Sequence, residues 1–97
     1  MNDGYLYRVF PSARYKRMRK LCKRRGLDMD LLDWCIDQLA KGIPLPENWN
    51  DHQLKGNLKR LRECHINGAG DWLLVYEKRE TSLMLYLVGT GTHDDLF

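Results

Sequence analysis

Hydrophobic and polar residues recur along this chain with two different periods, and the period changes near residue 58. Residues 5–10, YLYRVF, are aromatic and β-branched and predict a strand that ends at Pro11. Residues 12–25 predict a helix that ends at Gly26, with Ser12 in the N-cap position. Its apolar positions lie on one face, at Tyr15, Met18, Leu21 and Cys22.

A second helix is predicted from about Asp28 or Asp30 to Lys41. Gly42 suits the position after its C-terminus, and acids near its start suit the helix dipole. Its apolar stripe consists of Leu31, Leu32, Cys35, Ile36 and Leu39. The loop IPLPENWND follows at residues 43–51 and is stiffened by two prolines.

The pattern from residue 58 onward predicts strands. These are 58–66, 71–78 and 83–90, with turns at NGAG (67–70) and around RETS (79–82). Short turns between consecutive strands favour antiparallel pairing. The last two strands are apolar on both faces, so both sides need cover, and the two helices cover one. The predicted fold class is α+β, an antiparallel sheet of about four strands with two N-terminal helices packed on one face, in the order β-α-α-β-β-β.

Composition agrees with one globular domain spanning residues 1–97. The chain is 43% hydrophobic and 30% charged. No apolar run approaches the roughly 20 residues of a membrane helix, and the first residues lack the pattern of a secretory signal. We therefore expect a cytoplasmic protein without a membrane partner. The three cysteines are odd in number and widely spaced, so disulfides and thiolate zinc sites are not expected.

The net charge of +3 conceals a strong asymmetry. Residues 1–25 hold nine of the sixteen Lys and Arg against one acid, a formal charge of +8, and the remainder carries −5. Such a basic segment favours an anionic partner, first of all nucleic acid or an acidic protein segment. A solvated helix face is the alternative interpretation.

All three histidines fall in the second half of the chain. His65 lies in a predicted strand whose hairpin partner begins at Asp71, which places these two side chains within reach of each other. His52 precedes the sheet, and His93 follows it on a tail that can fold back over the same surface. Each histidine is alternatively a scaffold residue, Asp71 a turn residue and Phe97 a core residue.

Metal and phosphate-loop motifs are not indicated. The histidines lack the close spacing of HExxH and similar zinc motifs, so neither a metal nor a cofactor is expected. The run GTGT at 89–92 is glycine-rich, but no helix is predicted after it, as a phosphate-binding loop requires.

Three phrases of the sequence together resemble a known family. They are DHQLKGNLKRLRECHI (51–66), DWLLVY (71–76) and GTHDDLF (91–97). In this order and spacing they resemble the YafQ branch of the RelE/ParE superfamily of bacterial toxins, and the similarity covers essentially the whole chain. The resemblance implies a RelE-like sheet with helices on one side. It also implies a ribosome-dependent endoribonuclease that cuts mRNA in the A site and is held inactive by a cognate antitoxin.

The resemblance also implies roles for individual residues. The catalytic group is His52, His65, Asp71 and His93, and Trp72 and Phe97 shape the site and position the substrate. Further substrate-binding residues are expected at Lys55, Lys59, Arg60 and Arg62. Binding to ribosomal RNA is assigned to the basic helix, at Arg14, Arg17, Lys20, Lys23 and Arg24. Operator DNA is an expected partner only through the toxin–antitoxin complex.

RNA is cleaved without metal when its own 2′-OH attacks the adjacent phosphorus. The enzyme then supplies a base, an acid for the leaving 5′-oxygen and positive charge. We assign His93 as the acid and Asp71 or His65 as the base. His52 assists proton transfer or binds phosphate.

One position departs from the family pattern. Relatives commonly carry an arginine at or near the position of Gly89, and this chain has none there. Lys55, Lys59, Arg60 or Arg62 are candidates to replace it, and weaker activity is the alternative. Two other functions stay open: a ParE-like inhibitor of DNA gyrase, which needs no histidine-rich site, and a non-catalytic module that binds nucleic acid or the antitoxin.

Overall fold

The computed structural model describes residues 4–68 and 70–97. These residues form a five-stranded sheet with three helices. In chain order the elements are β1 (Arg8–Pro11), α1 (Ala13–Arg24), α2 (Met29–Ala40), β2 (His52–Gln53), β3 (Arg62–His65), β4 (Leu73–Arg79), β5 (Met84–Gly91) and α3 (His93–Leu96).

Side chains cap the two long helices, and the sequence predicts the first of these caps. The Ser12 hydroxyl accepts a hydrogen bond from the Tyr15 N–H at 3.0 Å and starts α1. The Asp28 carboxylate accepts from the first N–H groups of α2, and Gly42 follows that helix with φ of +74°. Both helix predictions are correct to within about two residues.

The strands lie in the order β1-β5-β4-β3-β2. The neighbours from β5 to β2 are antiparallel, whereas β1 runs parallel to β5 and pairs only with its first half. Parallel pairing requires a long crossover connection, and α1 together with the rest of the chain supplies it between β1 and β5. The α+β class is confirmed, with a fifth strand and one parallel pair added to the predicted four-stranded antiparallel sheet.

Two apolar clusters cover the two faces of the sheet. The larger one packs α2 residues such as Leu32 and Cys35 against Leu74 and Tyr76 of β4. A smaller cluster on the opposite face joins Leu73, Val75 and Leu96. Helix α1 contributes to both clusters, through Tyr15 and Cys22 to the first and through Met18 to the second. The tail helix α3 therefore gives the second face part of its cover.

Three local predictions differ from the structure. Strand β3 begins at Arg62 and not at residue 58, because residues 56–58 form a 3₁₀ turn with Gly56 at φ +66°. Strand β2 directly follows the predicted loop at residues 43–51, where no strand was predicted, and a short helix, α3, follows GTGT. The predicted NGAG turn includes Ala69, which lies outside the described residues; Asn67 and Gly68 on its near side both have positive φ.

The three cysteines are buried free thiols. Cys35 Sγ and Cys64 Sγ lie 3.6 Å apart, and the thiol neighbour and burial raise the pKa of Cys64. Across residues 4–68 and 70–97, the structure contains no helix of the length and apolar character needed to span a membrane.

Candidate active site

The C-terminal tail is fixed against the body of the protein. Thr92 caps α3 through a capping box, in which its hydroxyl accepts from the Asp95 N–H and the Asp95 carboxylate accepts from the Thr92 N–H. Arg25, at the end of α1, donates to the Asp95 carboxylate at 2.7 Å. Arg14, in the first turn of α1, donates to the Leu96 carbonyl at 2.8 Å. Both ends of α1 therefore hold α3.

Asp71 faces His93. Its Oδ1 accepts a hydrogen bond from the His93 backbone N–H at 3.0 Å, and the ring Nδ1 of His93 lies 3.6 Å from the same oxygen. Both side chains are 58% exposed, which leaves the outer edge of the ring accessible to a substrate. The sequence analysis placed Asp71 within reach of His65; in the structure the hydrogen bond of Asp71 goes to His93 instead.

His52 and His65 lie on one face of the sheet. Register pairs His52 with Glu63 across β2 and β3, and it pairs His65 with Leu73 across β3 and β4. Because side chains alternate along a strand, His52, Glu63 and His65 point to the same side as Leu73. Leu73 packs there against Leu96 of α3, the helix that carries His93. The topology thus brings the three histidines to one side of the sheet.

His52 is bonded at both ring nitrogens. Nδ1 lies 2.7 Å from the Asn50 carbonyl oxygen, and Nε2 lies 3.2 Å from Glu63 Oε2. The His65 side chain is half-buried, and its ring makes no hydrogen bond or ion pair with the described part of the chain. The two histidines therefore share a surface but differ in their bonding.

Trp72 and Phe97 differ in environment. The Trp72 ring is buried in the large cluster, where Nε1–H donates to Thr90 Oγ1 at 3.0 Å and the Thr90 hydroxyl donates to the Leu73 carbonyl. Trp72 therefore stabilises the start of β4 and the end of β5 from the side of the large cluster. Phe97 is 59% exposed, and its ring centroid lies 5.9 Å from that of His93. Its face is available for stacking, and only its neighbour Leu96 enters the core.

The expected substrate-binding bases separate into two groups. Arg62 lies on the opposite face from His65, where Nε approaches both Asp51 and the Tyr76 hydroxyl at 3.3 Å. Tyr76 also donates to Asp51, and burial raises the pKa of Tyr76. Lys55, Lys59 and Arg60 are exposed. A polar cavity of about 500 Å³ lies beside them and is lined by Gln53, Lys59, Arg60, Arg62, Glu77, Lys78 and Glu80.

The basic residues of α1 also separate into two groups. Arg14 contacts Leu96, and Arg19 forms a two-point ion pair with Asp33 at 2.6 and 3.0 Å. The other bases named in the sequence analysis are exposed and make no ion pair within residues 4–68 and 70–97: Arg17, Lys20, Lys23 and Arg24. The free charge of α1 is therefore concentrated on its outer face.

Gly89 lies where a side chain has little room. A Cβ atom there would come within 2.8 Å of Leu96 Cδ2 and 2.9 Å of Met18 Sδ. The contact between α1 and α3 occupies the space that an arginine stem would need.

Sequence reasoning missed Glu63, Arg25 and Asp95. Glu63 stands in the strand pattern RECH, where an acid directly before a cysteine and two residues before a histidine is the available signal, and the structure buries it. The Arg25–Asp95 pair spans most of the chain and leaves no local pattern. No group of three or more His, Cys, Asp or Glu side chains close enough to hold a metal ion occurs among the described residues.

Comparison with known proteins supports the resemblance seen in the motifs. Residues 7–97 match the family model of YafQ, the bacterial toxin of type II toxin–antitoxin systems. The mRNA interferase toxin YafQ of Escherichia coli (strain K12) is 36% identical over 87 residues, which cover 89% of this chain and 90% of that protein.

Solved structures show the same fold. The crystal structure of the E. coli DinJ–YafQ toxin–antitoxin complex matches with a TM-score of 0.83 at 32% identity, covering 95% of this chain and 98% of that one. A metal-bound toxin from Helicobacter pylori matches with a TM-score of 0.84 at 36% identity, covering 94% and 99%. The family expected from the sequence motifs is confirmed: the chain belongs to the YafQ family of bacterial toxins of type II toxin–antitoxin systems.

Proposed function

We propose that this toxin is an mRNA interferase, an endoribonuclease that cuts mRNA in the ribosomal A site by general acid–base catalysis without a metal. The observation that carries the proposal is the contact of Asp71 Oδ1 with both the backbone N–H and the ring of His93, on a tail that also presents Phe97. The relative from E. coli with 36% identity is an mRNA interferase by name.

His93 is the general acid in this mechanism. The Asp71 carboxylate lies 3.6 Å from Nδ1 and orients the ring, which leaves the outer edge of the ring accessible to a substrate. Nε2–H then protonates the 5′-oxygen that leaves when the P–O bond breaks. A positioned acid of this kind is typically worth about 10²–10⁴ in rate.

His65 is the general base. Its ring nitrogens are not engaged by any described residue, and a neutral imidazole accepts a proton near neutral pH. It removes the 2′-OH proton as that oxygen attacks phosphorus. Asp71, the alternative base, is already committed to His93, and we assign it the role of orienting the acid.

The RNA substrate is held by the Phe97 ring and by exposed cationic side chains. Phe97 stacks on a base of the single-stranded message, a contact worth roughly 1–3 kcal/mol per base. The exposed ammonium and guanidinium groups of Lys55, Lys59 and Arg60 attract the phosphates. Arg62 has a structural role in this scheme, because it is bonded to Asp51 and Tyr76 on the other face.

The outer face of α1 binds ribosomal RNA. Arg17, Lys20, Lys23 and Arg24 are exposed there, and RNA is a dense polyanion. A cognate antitoxin neutralises the toxin in the bacterial cytoplasm, and the toxin reaches operator DNA only as part of that complex. A relative of the same fold is seen bound to its antitoxin, DinJ.

The test is primer extension on message from translating ribosomes incubated with wild type or His93→Ala. We expect new 5′ ends within the A-site codon for wild type and loss of most cutting for His93→Ala at unchanged melting temperature. Glu47→Gln, a change at an exposed turn away from the polar cavity beside Lys59, is the matched control and should cut normally. Repetition with a chelator at concentrations that leave ribosomes intact tests the metal-free mechanism. Cutting that disappears with the chelator contradicts that mechanism, and gyrase-linked DNA breaks without RNA ends indicate the gyrase alternative.

A further inference from the structure

Two aromatic rings and two arginines form a row across the sheet at the start of β5. Phe10 of β1 and Tyr86 of β5 are paired in register, and their ring centroids lie 5.2 Å apart with an interplanar angle of 23°. The guanidinium carbon of Arg8 lies 5.4 Å from the centroid of the Phe10 ring, and that of Arg79 lies 4.8 Å from the centroid of the Tyr86 ring. We call these four residues the aromatic–arginine row.

The aromatic–arginine row lies on the same face of the sheet as the proposed cleavage site. Leu85 and Leu87 of β5 point into the large cluster, so Tyr86 between them points to the opposite face, as Val88 does. This is the face on which α3 packs and to which His65 points. The row therefore shares a surface with the catalytic residues, whereas the free cations of α1 lie on the outer face of that helix.

The row is separate from the catalytic residues. At about 3.3 Å per residue, Tyr86 lies roughly 15 Å along β5 from Gly91, the last residue before the tail that carries His93. An extended single strand of RNA covers this distance with a few nucleotides. One strand can therefore contact both places.

Stacking holds the two guanidinium groups in place and leaves hydrogen-bond donors available. A guanidinium contacts an aromatic ring through its flat face, whereas its N–H groups point outward in its plane and match phosphate oxygens. Arg79 Nε–H donates to Glu77 Oε2 at 2.6 Å, and its terminal nitrogens make no hydrogen bond with residues 4–68 and 70–97. The exposed guanidinium of Arg8 makes neither a hydrogen bond nor an ion pair with the same residues. The row thus keeps one uncompensated positive charge and two sets of donors.

The stacked arrangement favours a nucleotide over a carboxylate as the anionic partner. A carboxylate uses only the N–H edge of a guanidinium. A nucleotide uses the edge through its phosphate and the flat face through its base, because bases stack on guanidinium planes as well as on aromatic rings. An acidic protein segment would gain nothing from the planes that the row presents.

We propose that the aromatic–arginine row is a second binding site for the message, which holds the single-stranded nucleotides that follow the codon being cut. Arg8 and Arg79 bind phosphates, and a base stacks on a guanidinium plane of the row. This site rests on the proposed cleavage in the A site, where the nucleotides before the codon are paired with the tRNA of the neighbouring site. The row adds affinity for the strand and takes no part in proton transfer.

Binding by the row is tested without ribosomes, on the full chain carrying His93→Ala to prevent cutting. Fluorescence anisotropy of a labelled oligouridylate of about nine nucleotides gives Kd at several salt concentrations. Adding Arg8→Met and Arg79→Met together should weaken binding by about 10-fold or more at low salt. The slope of log K against log salt concentration should decrease by about 1.4, because each phosphate contact on a single strand contributes about 0.7.

Lys41→Met is the matched control for this experiment. The Lys41 ammonium also lies over an aromatic ring, 5.3 Å from the Tyr5 centroid at the end of α2, so its removal costs the same charge elsewhere and should preserve affinity and slope. Unchanged binding in the double Arg8 and Arg79 variant overturns the proposal, whether or not the toxin cuts RNA. A double variant that binds RNA normally but loses affinity for an oligoglutamate peptide assigns the row to an acidic protein partner and also overturns it.

The source of the bound RNA is tested on translating ribosomes with two messages. One message ends directly after the A-site codon, and the other continues for about nine nucleotides. At subsaturating toxin, wild type and Lys41→Met should cut the longer message about 10-fold faster, whereas the double Arg8 and Arg79 variant should cut both messages at the rate of wild type on the short one. A double variant that loses activity equally on both messages indicates a contact with ribosomal RNA and overturns the proposal. If wild type cuts neither message, the proposed function is wrong, and the oligonucleotide experiment alone decides whether the row binds RNA.

Discussion

The backbone N–H of His93 donates to Asp71 Oδ1 at 3.0 Å, and the ring Nδ1 of His93 lies 3.6 Å from the same atom. One carboxylate oxygen thus fixes the start of α3 and faces the ring of the proposed acid. The sequence separates the two residues by 22 positions, and the turn before β4 and the end of β5 bring them together.

Asp71→Asn separates these two effects. The asparagine oxygen still accepts the His93 N–H, but the negative charge beside Nδ1 is lost. We expect α3 to remain in place and single-turnover cutting to fall by about 10-fold to 100-fold, within the range of one acid–base group. Single-turnover cutting on ribosomes measures this, and an unchanged rate contradicts the assignment of Asp71.

Phe97→Ala tests the stacking surface. The ring is 59% exposed, so its removal should leave the melting temperature nearly unchanged. A lost base contact of roughly 1–3 kcal/mol should reduce kcat/KM by about 5-fold to 150-fold. Phe97→Trp keeps an aromatic face and is the matched control. Equal losses for the two variants argue for a structural role of the C-terminus.

Sequence patterns predicted the parts of this molecule whose signals are local. The apolar stripe and Ser12 cap of α1, and the acids at the start of α2, follow from residues within one or two turns. Strand β2 is two residues long and leaves no measurable alternation, and α3 is a single turn held by contacts from α1. Such elements depend on tertiary contacts and escape a periodicity argument.

The site residues named from the sequence stay predictions in their catalytic roles, and their predicted pairings agree only partly with the structure. Motif resemblance supplied His52, His65, Asp71 and His93. Asp71 was paired with His65 because the prediction considered only the hairpin of two neighbouring strands. In the structure Asp71 instead contacts His93, in the tail that follows β5. A basic residue in the sequence also gives no indication of its hydrogen-bond partner. Arg14 and Arg62 were therefore predicted to bind RNA, although in the structure both form hydrogen bonds within the protein.

Gly89→Ala should destabilise the protein through crowding. The new methyl group lies within 2.9 Å of both Leu96 and Met18, and overpacking typically costs about 1–3 kcal/mol. Urea denaturation gives the free energy of unfolding. Combining Gly89→Ala with Met18→Val makes room and should cost less than the sum of the single changes. Strict additivity would mean that the two side chains do not compete for this space.

The Arg25–Asp95 pair predicts a pH-dependent stability. The Arg25 guanidinium, with the Thr92 N–H, lowers the pKa of Asp95 to about 2. A depressed carboxylate pKa stabilises the folded protein above the ordinary value near 4, and the contribution is lost as pH falls toward 2. Arg25→Met should therefore lower the melting temperature at pH 6 and differ less from wild type at pH 2.5. Arg17→Met removes an equal charge that has no ion-pair partner among residues 4–68 and 70–97, and its difference from wild type should not follow this pattern.

Charge reversal on α1 distinguishes ribosome binding from tail positioning. Arg17, Lys20 and Arg24 are exposed, so the triple change to Glu should weaken ribosome association by more than 10-fold at low salt while folding persists. Wild-type binding should fall steeply with added salt, and the triple variant should show a smaller slope, because fewer ions are released.

Arg14→Gln is the contrasting variant. It removes the guanidinium that donates to the Leu96 carbonyl and holds α3, so cutting should fall while ribosome association stays near wild type. Co-sedimentation with ribosomes at several salt concentrations, alongside cutting rates, measures both effects. If association is independent of salt, or if Arg14→Gln and the triple variant lose binding equally, the division of α1 into an RNA-facing side and a tail-holding side is wrong.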